Sequence, residues 1–138
     1  MAITIERSRA GSLLLAAIAC AALLSQDASA SFDHAWFCRA AQDVAHRANA
    51  QRGSSIDEHT RHEGMTVECA STSVELKLSV DVPFSAMPQY WQDRISMQWS
   101  DDYCSDPAWS EAITYRWNIT LLVQSTAGET FSVRADCH

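Results

Sequence analysis

Glu58-His59-Thr60-Arg61-His62-Glu63 sets two histidines three residues apart between carboxylates, and of all the side chains here these come closest to a metal site. Imidazole and carboxylate are both zinc ligands, and on a helix this spacing would bring the two rings onto one face. The order matches neither H-E-x-x-H nor H-x-x-E-H, and the segment lacks helical periodicity. It reads as a polar loop ahead of a strand, with no metal and no cofactor expected. His34, His46 and His138 have no partner in sequence and read as surface residues.

Nucleophilic catalysis would need a serine or cysteine beside a base, and no G-x-S-x-G elbow occurs. Glycosidase chemistry needs two carboxylates across a cleft, whereas Asp101 and Asp102 are adjacent at an expected helix end. Gly53, Gly64 and Gly128 form no phosphate-cradling loop. No enzyme is expected.

The cysteines carry a different message. Residues 1–30 place Arg7 and Arg9 before an apolar run from Leu13 to Leu24, then Gln26, Asp27 and Ala28-Ser29-Ala30. That is the order of a secretory signal peptide, and the run is too short to cross a bilayer as a helix. Cleavage after Ala30 would discard Cys20. The alternative, an outer-membrane lipoprotein acylated at Cys20, fits less well, because Ala17-Ile18-Ala19 lacks the usual leucine and the apolar run continues past the cysteine. A periplasmic or secreted domain spanning residues 31–138 is expected, without a transmembrane span.

Cys38, Cys69, Cys104 and Cys137 then remain, an even number in an oxidising compartment, which points to two disulfides with three possible connectivities. The removed segment carries as many acidic as basic residues, so the domain keeps the chain's formal net charge of −7. Such a surface should repel nucleic acid and anionic headgroups.

The elements that position these cysteines follow from periodicity. Trp36, Phe37, Ala40, Ala41, Val44 and Ala48 recur at helical spacing from Asp33 to about Gln51, with Ser31 or Asp33 to cap the start and Gly53 the end. Met65, Val67 and Cys69 alternate as a strand, and Val74 to Val82 alternate more strictly, so the two form an antiparallel hairpin. Pro88 opens a second helix carrying Trp91, Ile95 and Trp99 and ending near Tyr103-Cys104. Asp106-Pro107 caps a short helix with Trp109. Ile113 to Val123 reads as a long strand, Ala127-Gly128 as a turn, and Phe131 to Cys137 as the returning strand. The expected class is α+β: an antiparallel sheet of about four strands, as two hairpins, packed against an N-terminal helix and a middle helix. A Cys104–Cys137 bridge would pin the second helix to the last strand. Cys38–Cys69 would then staple the first helix to the first strand.

Five tryptophans are many for this length. Four lie on expected apolar faces, where core packing accounts for them. Trp109 is expected to be exposed and is the candidate partner-binding aromatic. Asn118-Ile119-Thr120 fits a glycosylation acceptor, but it falls within an expected strand.

Ile56-Asp57-Glu58-His59-Thr60-Arg61, Tyr103-Cys104-Ser105-Asp106-Pro107, and Gly128 followed by a strand ending at Cys137 resemble small envelope proteins of Gram-negative bacteria, among them domains similar to the pilotins of type II secretion. The resemblance implies the fold, the Cys104–Cys137 disulfide, to which Cys38 and Cys69 are additions, and binding of another protein. The expected function is an exported accessory protein that binds another envelope protein, as a pilotin-like assembly factor does, through a groove between a helix and the sheet. The alternative is a periplasmic inhibitor or immunity-type protein whose acidic surface masks a basic site.

Overall fold

The structure is a computed structural model that describes residues 31–138. The expected signal peptide, with Cys20, lies outside the described residues. The element order is α1 His34–Asn49, β1 Thr60–Glu68, β2 Ser73–Val80, α2 Trp91–Cys104, α3 Pro107–Thr114, β3 Asn118–Ser125 and β4 Thr130–Arg134. A single 3-10 turn, Phe84–Ala86, lies between β2 and α2.

Helix α1 starts where the Asp33 carboxylate accepts from the Trp36 N–H at 2.8 Å, which satisfies one of the donors a helix N-terminus leaves free. It buries Phe37, Cys38, Ala41, Val44 and Ala45, one stripe at helical spacing. Helix α3 starts in the same way. Asp106 accepts from the N–H groups of Ala108 and Trp109, with Pro107 at the first helical position. Helix α2 begins later than Pro88 suggests, because Tyr90 takes a left-handed conformation at φ +61° before Trp91.

Strand β1 begins at Thr60, five residues ahead of the alternation that starts at Met65. The register slips between His62 and Gly64. This bulge inverts the parity of the side chains, so His62 and Met65 both lie on the helix-covered face although they are three residues apart. Ile113 to Arg116, expected in a strand, is instead the end of α3 and its exit turn. The Trp117 N–H donates to the Ala112 carbonyl at 3.0 Å and Arg116 takes φ +68°, so β3 starts at Asn118.

The sheet has the order β1-β2-β3-β4. Both expected hairpins are present, β1 with β2 and β3 with β4, each antiparallel. The hairpins meet at a parallel pair, β2 with β3, so the sheet is mixed rather than antiparallel throughout. The physical reason is the long connection between them: it carries α2 and α3 across one face and returns the chain in the same direction, as a parallel pairing requires.

All three helices lie on one face. Helix α1 packs on β1, α2 packs on β4, and α3 touches both helices. Beneath α3 sits the aromatic centre of the core, where the Phe37 ring meets those of Trp109 and Trp117 at 5.1 and 4.7 Å. The disulfides Cys38–Cys69 and Cys104–Cys137 span Cα–Cα distances of 5.8 and 5.4 Å, within the ordinary range for the bond.

Candidate functional site

Because α1 lies toward β1 and α2 toward β4, a groove runs between the two helices above the central strands, whose inward side chains are mostly buried beneath it. A cavity of about 790 Å³ results. Its floor is Leu76, Leu78 and Leu121, inward residues of β2 and β3. Val44 and Ala48 of α1 form one wall, and Trp91 and Ile95 of α2 form the other. The loop around Ile56 closes one side, and Met87 with Pro88 closes the end at the start of α2. The period that puts Trp91, Ile95 and Trp99 on one side of α2 therefore serves two purposes. Trp99 is buried, its indole N–H donating to the Ile119 carbonyl at 3.1 Å, while Trp91 is half-buried and lines the groove.

Around this apolar floor the rim is polar, with charges of both signs, among them Arg47, Asp57, Glu58, Arg94 and Asp102. Arg47 on α1 and Arg94 on α2 stand on opposite walls, and neither forms an ion pair with another described residue. Asp102 lies further along α2. His62 also lines the groove, and both of its ring nitrogens are buried without a hydrogen-bond partner among the described residues. Partial burial pushes the Asp57 carboxyl up. The backbone N–H groups of His59 and Thr60, with further contributions from the Thr60 hydroxyl and the nearby His59, outweigh that and hold it below the ordinary carboxylate value.

The histidine segment is not a loop throughout. His59 lines the groove just before β1 and bonds Asp81, Nδ1 to Oδ1 at 2.8 Å, whereas His62 sits in β1. No group of three His, Cys, Asp or Glu side chains among the described residues could hold a metal. The four described cysteines are all in disulfides.

Trp109 is a correction. It is fully buried, with Tyr103 edge-on to its ring at 4.9 Å, because the Asp106 cap and Pro107 orient α3 with Trp109 and Ala112 facing the core. The aromatic that the surface presents beside the groove is Tyr90, 67% exposed. Sequence reasoning missed both His62 and Trp91 as groove residues. The alternation in β1 would have revealed His62 had the extra residue, Glu63, been allowed for; nothing in the sequence distinguishes Trp91 from a core tryptophan.

No family model matches the chain, and no curated protein matches it in sequence. Its fold is shared with a solved structure. A candidate secreted protein of Pseudomonas aeruginosa superposes with a TM-score of 0.58 at 19% identity, over 78% of this chain and 95% of that one. The likeness is one of fold alone. The pilotin EpsS of the Vibrio vulnificus type 2 secretion system is also similar, at 15% identity over 73% of this chain and 94% of its own, with a TM-score of 0.43 that carries no argument about role. No helix among the described residues is long and apolar enough to cross a membrane, and the two disulfides fit an oxidising, extracytoplasmic compartment.

Proposed function

We propose that this is an exported envelope accessory protein that binds another envelope protein by receiving an amphipathic helix in the groove between α1 and α2. The observation that carries this reading is the cavity between the two helices, with Leu76, Leu78 and Leu121 at its floor and Val44, Ala48, Trp91 and Ile95 on its walls. A partner helix laid there would complete the layer that α1 and α2 begin, with its apolar stripe on the sheet. Arg47 and Arg94, without ion-pair partners among the described residues, favour acidic residues at some positions flanking that stripe, and Asp57, Glu58 and Asp102 favour basic ones at others. A pilotin-like assembly role is the specific form of this proposal.

The test is site-specific photo-crosslinking in the native cell envelope, with the reactive residue at Gln98 on the groove and, as a control, at Glu75 on the opposite face of the sheet. The expected result is one adduct from Gln98, absent from Glu75 and lost when Ile95→Glu puts a charge into the groove. Equal labelling from both positions, or an adduct indifferent to Ile95→Glu, removes the groove from the function. An adduct that forms only at low salt would favour the acidic-inhibitor alternative, since exposed charge attraction is screened and apolar burial is not.

A further inference from the structure

The two edges of the sheet are finished differently. Along β1 the outer backbone groups are occupied: the Gly53 N–H donates to the His62 carbonyl at 2.6 Å, and the His62 N–H donates to Ser54 at 3.0 Å. Further along, the Asn49 side-chain amide imitates a neighbouring strand. It donates to the Met65 carbonyl at 2.9 Å and accepts from the Met65 N–H at 2.7 Å. From Thr60 to Met65 this edge is closed to pairing.

Strand β4 is not closed. The Ala135 N–H donates to Ile119 at 2.8 Å, the Ser125 N–H donates to Glu129 at 2.9 Å, and the register between them runs without a slip. Antiparallel pairing alternates bonded and non-bonded residues, so Phe131 and Val133 turn their backbone groups toward β3. Thr130, Ser132 and Arg134 turn theirs outward, where no described residue meets them. The strand contains no lysine, proline or bulge, three of the devices that blunt an edge; its one charge, Arg134, stands at its end.

We propose that this edge pairs with the same edge of a second copy, β4 to β4, joining two sheets across a twofold axis. The sequence Thr130-Phe131-Ser132-Val133-Arg134 is complementary to itself about Ser132. Ser132 of one copy would oppose Ser132 of the other, and Thr130 would oppose Arg134, so no like charges meet. These are the residues whose N–H and C=O groups face outward, so each such pair exchanges both hydrogen bonds. On the helix-covered face, Phe131 of one copy would oppose Val133 of the other, and both are only partly buried in the single chain. Met97, 62% exposed, lies one turn before Ser100, whose hydroxyl accepts from the Asp136 N–H just beyond β4. It therefore flanks the same edge with apolar surface.

This surface is separate from the groove, and its test does not depend on the groove's occupant. The protein is purified after export without reductant, and its mass is measured by light scattering and sedimentation over a wide concentration range. The expected result is twice the chain mass for the wild type and a halved mass for Ser132→Lys, which sets two like charges directly opposite each other. Ser132→Pro, which deletes an outward N–H that the fold itself does not use, should halve it as well. Circular dichroism checks that both variants keep the fold. A wild type of single-chain mass at every concentration, or a dimer that survives Ser132→Lys, overturns the proposal.

Discussion

Tyr103 has an unmet polar demand at the centre of the core. Its side chain is buried against Trp99 and Trp109, and its hydroxyl finds no hydrogen-bond partner among the described residues. Burial, and then the charge of Asp102, push that hydroxyl above the ordinary tyrosine range. In the unfolded chain it ionises near pH ~10, so the folded state's stability is intact below that pH and falls as pH rises past it, where only the unfolded chain can release the proton. Tyr103→Phe is expected to leave stability at neutral pH unchanged or raise it by up to about 2 kcal/mol, since it removes an unsatisfied buried group. It should also flatten the alkaline decline, and urea midpoints measured on both sides of the tyrosine range check the two effects together. At this scale the sequence was openly readable where a side chain serves its own backbone: the Asp33 and Asp106 caps are where residue type places them. The burial of Trp109 was not readable, because short neighbours on a short helix leave its facing undetermined until the helix is packed.

Each hairpin of the sheet could be read from alternation and turn residues, and so could the helices between them. What alternation cannot convey is which strand of one hairpin meets which strand of the other. Val74 to Val80 would look the same beside a parallel or an antiparallel neighbour, and the direction is settled by how the chain crosses back over the sheet. The bulge at Glu63-Gly64 hid the start of β1 for a related reason, as one extra residue inverts the pattern on which the reading depends. Gly64 takes φ +142°, and a Cβ there would come within 2.8 Å of the Arg52 guanidinium and 3.1 Å of the Asn49 side-chain oxygen. The same Asn49 holds Met65 from both sides. Asn49→Ala is therefore expected to destabilise the protein by about 1–3 kcal/mol, the cost of leaving partly buried backbone groups unmet, and to free the edge of β1. Denaturant unfolding measures the first effect. Faster hydrogen exchange at the Met65 amide reports the second, and an unchanged Met65 rate would mean that Asn49 does not guard the edge.

For the molecule as a whole, the groove, the closed edge and the open edge all depend on α1 and α2 staying where they are, and each helix carries one disulfide to the remainder of the fold. Every bridge is worth about 2–4 kcal/mol, mainly by restricting the unfolded chain, which is a large share of a small domain's stability. The two covalent loops close across 31 and 33 residues and do not overlap. Cys38 joins the next described cysteine along the chain, and Cys104 joins the one after it. For a chain that enters an oxidising compartment from its N-terminus and sheds Cys20 with the expected signal peptide, every correct partner is thus the next thiol to arrive, and an oxidant that joins cysteines in order of appearance makes the native set with nothing to correct. Production in cells that keep their thiol oxidase but lack a disulfide isomerase should consequently leave the yield of correctly bridged protein undiminished, as read by peptide mapping without reductant; a crossed Cys38–Cys104 species accumulating there would show that order of arrival does not govern the pairing. The linear arrangement of its cysteines is thus expected to spare this protein a proofreading step.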